Sequence, residues 1–336
     1  LNGSGDDSGA QPPLKRKAWT YAAGPRAGLA LLRQGADGRR QFIRSRVTEP
    51  LADGFQLLLF GLFHLLPAGL VSDIGAFLGR FLVPRTHKVA LRRTYDTLKT
   101  LRPDADEATL QRWLTEYMES QGRQQAEYAV VQRLARAPGG IRCIGTETLK
   151  ARCDGRPVIF IGLHTSNWEV MDQYLVDLGL PLTLNYDPPK KRSHHWIVRH
   201  VRQRGGLGLF PPGRAAVRPA LRQLEQNGSI LIFCDEGVDR QLRAPFFGRP
   251  PHLKGNYALV ARLARKTGAL LWPVYLTRDG GTRFTLTALD PFTLPPGEAD
   301  TAQLLQDVQQ INAVLEPVIR QHLPQWFFIN NRLPPE

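Results

Sequence analysis

From residue 141 onward the chain alternates short apolar runs with amphipathic helical segments, and few folds accommodate that rhythm. "RPVIFIGL" and "SILIFCDEG" are continuous apolar runs of strand length, the pattern of a strand covered on both faces. "LPLTLNY", "ALLWPVYLTR" and "TRFTLTAL" read as further strands. Between them, "NWEVMDQYLVDLG", "SHHWIVRHVRQRGG", "RAAVRPALRQLEQNG" and "KGNYALVARLARKTG" place apolar residues at helical spacing and close on glycine. "TAQLLQDVQQINAVLEPVIRQHL" is a long final helix. Strands and helices in alternation predict an α/β fold with a mostly parallel central sheet flanked by helices.

The N-terminal part has a different character. Residues 1–50 are expected to form a disordered, basic region; the first twenty are Gly, Ser, Pro and charge, with no secretory pattern. The most apolar stretch is "FQLLLFGLFHLLPAGLVSDIGAFLGRFLV", Phe55 to Val83. Its first half, Phe55 to Leu70, carries no formal charge, but its 16 residues fall short of the roughly 17–25 that span a bilayer as a helix. Pro67 interrupts it. Arg40, Arg44 and Arg46 precede the stretch, and Arg80, Arg85 and Lys88 close it. A buried hairpin is one reading. Basic flanks on both sides suit anionic headgroups and favour the other, a membrane-associated helical anchor. The expected organisation is an apolar anchor over 51–90, a helical lead-in over 91–140 and an α/β core over 141–336. In the lead-in, Asp104 or Asp106 caps a helix whose inner face is Leu110, Trp113, Leu114 and Tyr117.

Lys and Arg number 44 against 30 Asp and Glu, a net charge of +14. Such a chain is drawn to something anionic, and arginine in particular suits phosphate and carboxylate. No nucleic-acid-binding motif is recognisable, and the apolar segment argues for a membrane partner instead. Arginines gather at Arg192, Arg199, Arg202, Arg204, Arg214, Arg218 and Arg222, with Arg199 and Arg202 expected to share a helix face. Cys143, Cys153 and Cys234 form no C-x-x-C pair, and the histidines outside His164 show no ligand spacing, so no metal is expected.

His164 stands at the carboxyl end of the "VIFIGL" strand, where the chemistry of such sheets gathers. Histidine exchanges its proton near neutral pH. Glu169, on the first turn of the next helix, is expected to reach back to the ring and fix its tautomer, with Ser166 as the helix N-cap. No G-x-S-x-G elbow and no H-E-x-x-H motif is present. A base without an enzyme nucleophile suggests a substrate hydroxyl; read alone, the spacing fits a structural histidine as well. Asp235 ends a second buried strand and needs a partner, whether in a salt bridge or in the site.

"HTSNWE" resembles the H-x4-D/E motif of the glycerolipid-type acyltransferases. Together with "HVRQRGG", "GSILIFCDEGVDRQLRAPFFGRP" and "PQWFFINNRLPP", it resembles more closely the late acyltransferases of lipid A biosynthesis (lauroyl and myristoyl transferases), over roughly 51–332. The resemblance implies direct acyl transfer without a covalent enzyme intermediate. His164 would deprotonate an acceptor hydroxyl, and Glu169 would orient His164. The co-substrate would be a thioester of acyl carrier protein or coenzyme A, with no other cofactor. Amides at the start of the following helix are candidate oxyanion donors. Arg204 and Arg214 match basic positions of the family and are candidate substrate contacts, as are Asp235, Asn330 and Arg332. Phe246, Phe247 and Gly248 either line an acyl groove or pack the core, and Trp326, Phe327 and Phe328 pack near the site mouth. Glu236 stands where the family often has Gln, and the threonine usual just after the PFFG run is missing. The acceptor is therefore an anionic glycolipid such as a lipid A precursor, or else a phospholipid or aminolipid. The implied location is the cytoplasmic face of a bacterial inner membrane. A non-catalytic module that binds anionic membranes is the remaining alternative.

Overall fold

The computed structural model describes residues 27–332 apart from 154 and 239. The disorder expected over residues 1–26 lies outside the described residues. Residues 29–50 are helical rather than disordered: a 3-10 turn over Leu29–Arg33, α1 (Gly35–Ile43), a π-wound stretch over Arg44–Thr48 and the start of α2 (Glu49–Leu65). The basic residues serve as local ties there. Arg44 Nε donates to the Glu49 carboxylate and Arg46 Nε to the Ala27 carbonyl. Pro50 sits in the first turn of α2, where its missing N–H would have no helical partner anyway.

The apolar segment breaks at Leu66 and Pro67, giving α2 and then α3 (Ala68–Thr86). No helix among the described residues is long and apolar enough to cross a membrane. The lead-in consists of α4 (Lys88–Leu101), α5 (Glu107–Glu127) and α6 (Val131–Ala135). Asp106 is the cap of α5, its carboxylate accepting from the Thr109 N–H at 2.9 Å. One face of α3, Val71, Ser72, Gly75, Ala76 and Gly79, is buried, and it meets α5 backbone to backbone. A Cβ on Gly122 would stand 2.0 Å from the Gly75 carbonyl oxygen, so only glycine permits this approach. The outer surface of the pair leaves Phe55, Leu58, Leu62 and Leu65 of α2 and Leu70, Phe77 and Phe81 of α3 exposed.

The core strands are β1 (Ile141–Ile144), β2 (Val158–Gly162), β3 (Leu182–Leu184), β4 (Gly208–Leu209), β5 (Ser229–Phe233), a small β6–β7 hairpin (Gly237–Val238, Gln241–Leu242), β8 (Leu270–Gly280) and β9 (Arg283–Ala288). The helices are α7 (Leu149–Cys153), α8 (Trp168–Asp177), α9 (Arg192–Arg204), α10 (Val217–Glu225), α11 (Asn256–Thr267) and α12 (Thr301–Gln321). Seven strands form one sheet in the order β1-β9-β8-β2-β5-β3-β4. The five from β8 to β4 run parallel, β9 turns back antiparallel on β8, and β1 lies parallel to β9. This is the mostly parallel α/β sheet that the sequence rhythm predicts.

Strand alternation distributes the core. Ile159, Ile161, Ile230 and Ile232 pack on one face beneath α10, α11 and α12. Val158, Phe160, Leu231 and Phe233 pack on the other, beneath α8 and α9. Each fully buried side chain of this kind contributes about 1.5–3 kcal/mol, so the middle strands β2 and β5 are the most firmly held part of the sheet.

Candidate active site

The chain leaves β2 and β5, neighbours in the sheet, in opposite directions. From β2 it crosses one face through α8 toward β3, and from β5 it crosses the other through α11 toward β8. The carboxyl ends of two such strands frame the crevice where open α/β sheets bind ligands. His164 follows β2, and Asp235 follows β5.

These two side chains meet. His164 Nδ1 lies 2.8 Å from Asp235 Oδ1. Asp235 Oδ2 accepts from the His164 backbone N–H and from Trp326 Nε1, each at 2.8 Å. Asp235 is wholly buried, and three donors replace the water its carboxylate has lost. A carboxylate can only accept, so Nδ1 carries the proton and Nε2 of the neutral ring is left with its lone pair. Phe233, Trp168 and Phe328 hold the ring at centroid distances of 4.1, 4.8 and 5.0 Å. The His164 side chain remains 17% exposed, so a reactant can approach it.

The turn after His164 is held from the C-terminal end of the chain. Ser166 has a φ of 50°, a left-handed conformation that costs a non-glycine residue about 1 kcal/mol or more. Its N–H donates to the Gln325 carbonyl, and the Phe327 N–H donates to the His164 carbonyl, each at 2.9 Å. Asn167, not Ser166, caps α8, accepting from the Val170 N–H. The Thr165 and Ser166 amides are committed to the Leu163 and Gln325 carbonyls, which removes both from the candidate oxyanion donors.

The Glu169 carboxylate, expected to reach back to His164, bonds Arg202 instead. It makes a bidentate pair with Arg202 of α9, at 2.7 and 2.9 Å, and also accepts from Trp168 Nε1 and the Tyr128 hydroxyl. In a buried setting the planar guanidinium satisfies both oxygens at once, which an imidazole cannot do. Arg202 is therefore an interior residue. It does not share a solvent face with Arg199, which bonds Gln203 at the surface. One turn beyond Glu169, Asp172 is fully buried with neither carboxylate oxygen hydrogen-bonded. Burial, and then the Glu169 charge, hold its pKa well above the ordinary carboxylate range.

Another buried carboxylate, Glu127 at the end of α5, joins the N-terminal helices to the same turn. It accepts from Ser72 Oγ of α3 at 2.5 Å, from Asn167 Nδ2 at 2.7 Å and from Arg278 Nη2 of β8 at 2.7 Å. No sequence motif marks Glu127, Asp172 or the Arg202 pairing, because each depends on contacts between distant elements.

A family model described as bacterial lipid A biosynthesis acyltransferase matches residues 44–334. The chain belongs to that family. Among solved structures, it is similar to the 1-acyl-sn-glycerophosphate (LPA) acyltransferase PlsC from Thermotoga maritima, at 16% identity and a TM-score of 0.32, over 68% of this chain and 95% of that one. No curated protein matches it.

In this lipid A acyltransferase family chain the other candidate residues fall into separate places. Phe246 is fully buried and packs against Tyr257 and Trp326. Phe247 also meets Trp326 and lies under the Arg320 guanidinium, so these two aromatics brace the donor to Asp235. Gly248 is exposed with a φ of 81°. Asn330 donates to the Tyr117 hydroxyl at 2.9 Å and fastens the C-terminal segment to α5. Arg332 pairs through its backbone with Arg240 and Leu242. Arg214 is exposed on a short 3-10 turn, and Arg204 is exposed beside α2; neither is joined to His164. Glu236 accepts from the Asn256 N–H at the start of α11 at 2.9 Å. Burial first, and then the Asp235 charge, hold its pKa above the usual range. Among the described residues, no three His, Cys, Asp or Glu side chains are grouped to hold a metal ion.

Proposed function

We propose that this acyltransferase moves a fatty acyl group from an acyl-carrier thioester to a hydroxyl of a membrane glycolipid such as a lipid A precursor, with His164 as general base and Asp235 as its orienter. The observation that carries this reading is the His164 Nδ1 contact with buried Asp235, at 2.8 Å, which leaves Nε2 as the proton acceptor. Nε2 takes the hydroxyl proton as the oxygen attacks the thioester carbonyl. The tetrahedral intermediate collapses, the C–S bond breaks, and the thiolate leaves with the proton from the imidazolium. An ester and a free thiol result, and no bond to the enzyme forms. Buried Asp235 stabilises the transient imidazolium, as an acidic partner does in hydrolase triads.

Location follows the same reading. The exposed apolar side chains of α2 and α3 suit the surface of a bilayer, on the cytoplasmic face where carrier thioesters are found. The helices lie on the membrane rather than cross it. The excess of cationic side chains suits both a phosphorylated acceptor and an acidic carrier protein.

The test is to incubate purified enzyme with acyl-carrier-protein or coenzyme A thioester and a phosphorylated glycolipid, following products by mass spectrometry. The glycolipid should gain one acyl group for each thiol released, and His164→Ala should abolish the gain. Acylation of an aminolipid or phospholipid alone would redirect the acceptor assignment. An acyl-enzyme adduct formed from donor alone would overturn the direct-transfer step.

A further inference from the structure

A groove separate from the His164 site runs between α2 and α9, with the chain from Tyr128 to Val131 as its floor. It encloses about 410 Å³, within the range of about 300–1,000 Å³ typical of small-molecule sites. Its aromatic wall is already assembled. The Trp196 and His200 rings stack at 4.7 Å, and Phe60 meets both edge-on at 6.1 and 6.4 Å. Val130 and Val131 of the floor are buried.

The lining contains two arginines and two histidines and no carboxylate. The two arginines differ in what they do. Arg133 donates to the Phe63, His64 and Leu66 carbonyls at the end of α2, so its charge is partly employed in capping that helix. Arg204 is exposed and has no hydrogen-bond or ion-pair partner among the described residues. An apolar trough with an unpartnered guanidinium at its rim is complementary to a molecule with an apolar tail and an anionic head.

His164 does not line the groove, and buried side chains stand between the two. The Tyr128 hydroxyl on its floor bonds Glu169, Trp168 Nε1 bonds the same carboxylate, and the Trp168 ring lies against His164. All three partition residues are buried. A chain lodged in the groove is held without reaching Nε2. On α2, the residues next to those lining the groove are the exposed Leu58, Leu62 and Leu65. The trough is therefore continuous with the apolar surface assigned above to the bilayer, and a lipid tail can enter from the membrane without crossing water.

We propose that this groove seats one acyl chain of an anionic phospholipid of the surrounding membrane, with the phosphate against Arg204, as a docking site apart from catalysis. The inference rests on the reading of α2 and α3 as the membrane-facing surface. Gly61 makes the test clean. It lines the groove, and a Cβ built on it meets no atom within 4 Å. Leucine also favours a helix over glycine, so Gly61→Leu fills the trough without disturbing α2.

The experiment measures quenching of Trp196 fluorescence by phosphatidylglycerol with brominated chains, taking Trp196→Phe as the blank. It is run in phosphatidylcholine vesicles and, separately, in detergent micelles that need no membrane docking. The wild-type chain should show saturable quenching, with brominated phosphatidylglycerol preferred over brominated phosphatidylcholine by about tenfold, the effect of one charge-assisted contact. Gly61→Leu should lose most of the quenching while still sedimenting with vesicles. Arg204→Gln should reduce the headgroup preference to near unity. Equal quenching in wild type and Gly61→Leu, or none for the wild type in micelles, overturns the groove assignment. Quenching in micelles without sedimentation on vesicles keeps the groove and sinks the membrane-facing reading alone.

Discussion

The Glu169 carboxylate closes on Arg202 at 2.7 Å, while the imidazole of His164, only five residues earlier, closes on Asp235 at 2.8 Å. Two carboxylates near one turn thus have different partners, and removing each should damage a different property. Asp235→Asn should reduce turnover by about 10²–10⁴-fold, with the thermal midpoint little changed, because the ring loses its orienter and counter-charge. Glu169→Gln should instead destabilise the fold by ~3–5 kcal/mol, since it leaves the Arg202 guanidinium buried without a counter-ion. Turnover per folded molecule should largely survive. Steady-state rates set beside denaturant melts separate the two. The converse result, a stable but inactive Glu169→Gln protein, would restore Glu169 as the residue acting on His164.

Trp326 reaches Asp235 Oδ2 at 2.8 Å from the far C-terminal end of the chain. Trp326→Phe keeps most of the ring packing against Phe246 and Phe247 but removes the N–H. A hydrogen bond to a buried charged group contributes about 1.5–3 kcal/mol, and its loss should leave the Asp235 carboxylate less firmly positioned against the His164 ring. The expected signature is a pH–rate profile whose acidic limb moves, with the Michaelis constant for the thioester unchanged. An unaltered profile would show that the indole N–H is dispensable.

Much of this was open to reading from the sequence, and the part that was not has a common cause. His164 at a strand end, Asp235 at another and the α/β rhythm are local patterns of residue type and spacing. The pairing of His164 with Asp235 depends on β2 and β5 being neighbours in the sheet, although some seventy residues separate them. Glu169 lies within easy local reach of His164 along the chain, so local spacing alone favours that contact. Arg202 looked like one more cation on an arginine-rich helix, because the side facing inward is set by what α9 packs against. Glu127 and Asp172 carried no signal at all, since a buried carboxylate is recognisable only when its neighbours are known.

Asp172 offers a pH test. Its pKa is raised on folding, so the unfolded chain binds fewer protons than the folded one between the ordinary carboxylate range and the raised value. Its stabilising contribution is fully present below the unfolded pKa and is lost as pH rises toward the folded one. Asp172→Asn cannot ionise and should flatten this part of the stability curve, with the greatest gain over wild type at the alkaline end. Parallel slopes of melting temperature against pH in the two proteins would show that Asp172 stays ionised.

The apolar surface of α2 can be tested without touching the site. Leu58 and Leu62 are exposed, so Leu58→Glu with Leu62→Glu should leave the melting temperature unchanged. Partition onto anionic vesicles should fall by about tenfold or more, the effect of withdrawing on the order of 1.5–3 kcal/mol of apolar burial per leucine. Activity toward a detergent-dispersed acceptor should survive while activity toward vesicle-embedded acceptor falls. If the double variant still sediments with vesicles as wild type does, contact with the bilayer lies elsewhere.

Where α3 meets α5 at Gly75 and Gly122, bare backbone touches bare backbone, and no flexible side chain lies between to give way. Glu127, at the end of α5, then grips Asn167 beside the turn that carries His164. A chain resting on its α2–α3 surface therefore holds the imidazole at a set elevation above that plane. Under the proposed function, selection among the hydroxyls of a polyhydroxylated headgroup would be a matter of altitude: the one standing level with Nε2 would react, and a chemically identical one a sugar ring higher or lower would not.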